Sequence, residues 1–96
     1  MECKWLRSWP KREETPVVLD HPYTPEQKAW ARRRWARGQP VWVILQCGRE
    51  WLLFDAIVAA EHLGTADREY LSTLAYRHWK EGLDTGELET ILRGEE

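Results

Sequence analysis

The 96-residue chain predicts an α+β domain, a small antiparallel sheet packed with three to four helices. Three observations predict it. An apolar, β-branched run over 41–47 is followed, after Gly48-Arg49, by a second apolar run to Phe54, which reads as a β-hairpin over about 41–54. Several segments open with helix-capping residues and close on glycine. A 43% hydrophobic and 31% charged composition is that of an ordinary globular protein with one modest core.

Residues 1–14 are charged and interrupted by Pro10, which predicts an irregular N-terminal arm ahead of a single compact domain over 15–96. Trp5 and Trp9 stand four apart, so one helical turn would put them on one face, either packed back on the domain or exposed. Val17-Val18-Leu19, between Pro16 and Asp20, reads as a short edge strand at about 16–20.

Thr24 at the N-cap, Pro25 at the first helical position and Gln27 in capping-box register then open a helix. It is expected to run to Arg37 and stop at Gly38 and Pro40. On that helix Ala29, Trp30, Arg33 and Ala36 share one side, and Trp35 lies well round from Trp30.

In the hairpin Trp51 and Leu53 alternate with Leu52 and Phe54, apolar on both sides, so both faces should be covered. Asp55 caps a helix through Leu63 that Gly64 ends. Thr65 or Asp67 opens a further helix to about Glu81, with Leu71, Leu74, Ala75, His78 and Trp79 on one stripe. Asp84 with Glu87 opens a last helix through Arg93, burying Leu88, Ile91 and Leu92.

Function is read from composition, because no motif names a reaction. Seven tryptophans are many for so small a domain, and some should stand half exposed, as at binding hot spots. Residues 1–38 carry a net charge of +4 and the remainder −6, which gives a bipolar surface within an overall charge of −2.

The densest functional signal is the helix 25–37, where Trp30, Arg32, Arg33, Arg34, Trp35 and Arg37 combine a positive field with two indoles. Trp35, pointing away from Trp30, is the expected exposed anchor. A plain solvated face, or pairing with the acidic second half, would explain the same arginines. Acids such as Asp67, Asp84 and Glu87 stand where helix caps are needed, although an acidic surface also suits a basic partner.

The catalytic signal is slight. Asp55 and His62 align on one helix face beside Glu61, and no nucleophile accompanies them. His21 and His78 stand apart, and Cys3 and Cys47 match no metal or redox spacing. No phosphate-binding glycine pattern occurs, and no cofactor or metal is expected.

Glu2, Lys4 and Arg7 break any signal-peptide core, and charges interrupt 41–60 as a membrane span, so a cytoplasmic protein with no membrane partner is expected. These features predict a non-enzymatic module that binds a protein partner. Its build resembles that of small phage and prophage accessory proteins, including anti-CRISPR and other anti-defence inhibitors. The likeness is one of overall character and implies an inhibitor of a nucleic-acid-processing complex. The alternative is nucleic-acid binding through the helix 25–37, independent of sequence and steeply salt-dependent.

Overall fold

The computed structural model describes residues 2–12, 14–17, 25–38 and 41–94. Among these described residues it is an α+β fold of four helices and a four-stranded mixed sheet. The strands are β1 (Glu2–Leu6), β2 (Trp42–Cys47), β3 (Glu50–Asp55) and β4 (Arg77–Trp79), side by side in that order. The helices are α1 (Pro25–Ala36), α2 (Ala56–His62), α3 (Arg68–Leu74) and α4 (Thr85–Leu92).

The hairpin forms where the sequence places it. Gly48, at φ 61°, is the first central residue of a two-residue connection, the position where a type II′ turn needs glycine. Both hairpin faces are covered. Val43, Leu45, Cys47, Leu52 and Phe54 face a core closed by Ala31, Ala56, Ala59 and Leu71 from α1, α2 and α3. Ile44 and Leu53 face Leu88 and Ile91 of α4, with Trp42, Trp51, Trp79 and Leu83 packed around them. The molecule is therefore three layers deep.

The aspartate caps are real. Asp55 Oδ1 accepts the Val58 N–H at 2.9 Å, Asp67 Oδ1 that of Tyr70 at 2.8 Å, and Asp84 Oδ1 that of Glu87 at 3.0 Å. Thr24 lies outside the described residues.

Four expectations are corrected. The segment 1–14 is not simply irregular, because Glu2–Leu6 joins the sheet parallel to β2 and makes it mixed rather than antiparallel. Backbone pairing with β2 over five residues and the burial of Leu6 outweigh the charge at Lys4, which stands on the same face as Leu6. Trp5 therefore stands on a strand and shares no helical face with Trp9.

The edge strand at 16–20 is absent at Pro16 and Val17, and residues 18–20 lie outside the described residues. β1 occupies the sheet edge beside β2. Val17 is instead fully buried and fastened to the α2–α3 connection, donating to Ala66 O and accepting from Gly64 N–H, both at 2.9 Å.

The helix to Glu81 stops at Leu74. Ala75 turns to extended geometry, and Arg77–Trp79 pairs with β3. Ser72 and Thr73 hydroxyls bond back to the helix carbonyls of Arg68 and Tyr70, while an aromatic run meets the open edge of β3; both favour the strand. Finally, Leu92 is exposed rather than buried, since α4 directs Leu88 and Ile91 at the sheet. The Glu87 carboxylate turns to Arg77 Nε at 2.9 Å.

Candidate partner-binding surface

Helix α1 is polar around almost its whole circumference. Ala31 is its one buried residue, seated against α2, and Lys28 and Trp35 flank that contact half-buried, three residues before and four after it. The sequence reading put Ala29, Trp30, Arg33 and Ala36 on one side and made Trp35 the exposed anchor. The packing reverses this: Ala29 and Ala36 are exposed, and Trp30 is 46% exposed while Trp35 is half-buried. The helix turns the side holding Ala31 against the alanine-rich α2, which carries Trp35, four residues on, toward the contact and leaves Trp30 outside it.

The outward stripe is Trp30, Arg33, Arg34 and Arg37, at spacings of three and four residues. Arg34 lies over the Trp30 ring with its guanidinium carbon 5.0 Å from the centroid, a cation–π contact. Trp30, Arg33, Ala31, Val41 and Ala56 border a groove of about 400 Å³. Arg32 stands to one side and reaches Glu61 at 3.7 Å; with both groups about half exposed, this pair adds little. Arginines in the last turn also meet the negative end of the helix dipole. Of the six residues singled out by sequence, four form one stripe, while Trp35 lies on the packing side and the exposed Arg32 stands apart, toward Glu61.

A second constellation was not visible in the sequence. Glu50 at the start of β3 accepts from Trp9 Nε1 at 3.1 Å and Arg68 Nη2 at 2.6 Å on Oε1, and meets His78 Nε2 at 2.8 Å on Oε2. Because a carboxylate only accepts, that His78 nitrogen carries the proton. Arg68 also covers the Trp9 ring at 4.8 Å. Burial pushes the Glu50 carboxyl up, but the His78 and Trp9 hydrogen bonds and the Arg68 charge outweigh it and hold the pKa below the usual glutamate value. The four residues come from separate segments, and only tertiary packing joins them. No spacing rule could have found them.

Burial and the nearby Glu50 charge push the Cys47 thiol up, against a smaller opposing effect of Arg68, so it stays protonated and unreactive. Cys3 is exposed and Cys47 buried, both free. A thiol reagent should therefore modify one cysteine quickly in the native protein, and the second only after unfolding. Mass mapping of the labelled peptides checks that assignment.

Asp55 is engaged as a cap, and His62 packs edge-on against Tyr70 at 5.6 Å. His21 lies outside the described residues. Among the described residues no group of His, Cys, Asp and Glu is arranged to hold a metal ion, and no helix is long and apolar enough to cross a membrane. No family model matches the chain, and neither curated proteins nor solved structures include a significant match to it.

Proposed function

We propose that the chain is a non-enzymatic, cytoplasmic protein-binding module whose contact surface is the outer stripe of α1, and that its partner presents an acidic face. The observation that carries this reading is the exposed Trp30, stacked by Arg34 and bordered by Arg33 and Arg37, on a helix anchored by one buried alanine. Trp and Arg are the side chains most enriched at binding hot spots, and a guanidinium engages carboxylates bidentately. An inhibitor that docks on a nucleic-acid-processing assembly is the form of partner binding that best suits the polarised charge.

Of the acid–base candidates Asp55, His62 and Glu61, Asp55 caps α2, His62 packs edge-on against Tyr70 and Glu61 is exposed beside Arg32, which supports a non-catalytic role. The exposed free Cys3 suits a reducing compartment.

Affinity capture from the source cell with the native chain and with an Arg33→Glu, Arg34→Glu, Arg37→Glu variant tests the proposal. A stoichiometric protein recovered by the first and lost from the second is expected. Equal recovery on both, or none on either, overturns it.

A second reading takes the exposed Arg33, Arg34 and Arg37 of that stripe, with the exposed Arg32 beside them, as a phosphate-binding face. A gel shift at low salt that the charge-reversed variant abolishes would favour it over an acidic protein.

A further inference from the structure

We propose that the sheet face covered by α4 carries, on its open side, a stacking site for single-stranded nucleic acid. The site is independent of α1 and of the reading given for it.

The strand registers build it. Trp5 of β1 lies beside Gln46 of β2, Gln46 opposite Trp51 of β3, and Trp51 opposite Trp79 of β4. Residues paired across neighbouring strands point to the same face, so these four form one transverse row. The adjoining row contains Ile44 and Leu53, which α4 covers with Leu88 and Ile91. Leu83 and α4 support Trp51 and Trp79, which stay half-buried, but Trp5 is not among the residues packed there. Trp5 is 58% exposed, more than Trp30 or any other large apolar side chain described.

A row of indoles held by a rigid sheet is a low-entropy surface for flat rings. With neighbouring strands about 4.8 Å apart, Trp5 and Trp51 stand roughly 10 Å from each other. An extended strand could therefore lay bases on both, with one base between them over Gln46. The Gln46 amide nitrogen donates to Gly48 O at 3.3 Å, which leaves its carbonyl oxygen as the acceptor in this row.

Charge selects the ligand. Beside the row, at the hairpin-turn end of the sheet, stand two exposed cations, Arg7 just past β1 and Arg49 in the turn, whereas Lys80 lines the cleft of Glu50, Arg68 and His78 on the opposite face. Arg49 is steadied by the Glu81 carbonyl at 3.2 Å, and Gly82 N–H bonds Arg49 O at 2.8 Å, which holds this rim together. Glu81 is the acid among them, and Glu50 belongs to the opposite face of the sheet. A neutral sugar would use the indoles but leave the cations idle. A duplex would meet the cations but keep its bases stacked away from the rings. Single-stranded nucleic acid uses both.

The test is fluorescence anisotropy at low salt with a labelled single-stranded thymidine oligonucleotide, against a duplex of equal length. Binding in the range of about 1–100 µM is expected. The duplex should bind about tenfold more weakly. Trp5→Ala should weaken single-strand binding by about fivefold or more, and Trp5→Phe should restore most of it, which separates lost stacking from lost folding. Arg7→Glu with Arg49→Glu should weaken binding and flatten its salt dependence, while Trp30→Ala leaves it unchanged. The proposal is overturned by no binding in that range, by equal affinity for duplex, by indifference to Trp5→Ala, or by a loss that follows Trp30→Ala instead.

Discussion

Phe54→Ala is expected to destabilise the domain by about 3–5 kcal/mol, since a fully buried aromatic ring is removed and the cavity cannot collapse. Phe54 pairs with Val43 at the centre of the sheet and points at the face closed by α1, α2 and α3. Rigid β-strands on both sides leave little freedom to fill the gap. A domain of this size has total stability on the order of 5–15 kcal/mol, so the variant should be partly unfolded at moderate temperature. Urea denaturation followed by far-ultraviolet circular dichroism measures it. A midpoint unchanged from the native protein would contradict the packing described.

Glu50→Ala should produce the second largest loss, about 2–3 kcal/mol at neutral pH. The carboxylate is only 19% exposed and joins the chain before α1, strand β3, helix α3 and strand β4 through Trp9, Arg68 and His78. Its removal leaves the Trp9 indole N–H without an acceptor and the Arg68 charge without its counter-ion.

The pH dependence has a definite sign. Because the folded state holds the Glu50 carboxyl below its ordinary value of 4.5, the stabilisation is complete above that value. It is lost as the pH falls through the lowered folded-state pKa. The native protein should therefore lose stability on acidification more steeply than Glu50→Gln. Subtracting the two stability–pH curves isolates this carboxylate from the others that titrate in the same window. Parallel curves would show that the cluster does not hold Glu50 ionised.

The parts of the fold legible in the sequence were those written locally. Gly48 marks the hairpin turn, and Asp55, Asp67 and Asp84 mark helix starts, because each bonds a backbone N–H three residues on. Long-range effects were hidden. The stripe Leu71, Leu74, Ala75, His78, Trp79 fits a helical period, yet the last two sit on β4, where an unpaired edge of β3 draws an aromatic run into the sheet. β1 was masked by Glu2 and Lys4, which read as solvent-loving without their neighbours.

The α1 site was half legible. Its residues and charge were plain, but which indole faces outward depended on Ala31 fitting against α2. The Glu50 cluster and the tryptophan row across the sheet depend on strand register and tertiary contact, which no single-segment pattern contains.

The parallel pairing of β1 with β2 bears on how the chain avoids sticking to its own kind. Leu6 must find Cys47, about forty residues further along, whereas β2, β3 and β4 pair through closer contacts. The hairpin can thus assemble first, with the outer backbone edge of Trp42–Cys47 open. That edge is long and apolar, the type that templates strand addition from another chain. Docking of β1 replaces it with a strand of five residues carrying a charge at its middle, and the opposite margin of the sheet is only three residues long. Glu2–Leu6 thus covers the adhesive edge, and deleting it is expected to leave a domain with its core hairpin intact and a pronounced tendency to aggregate.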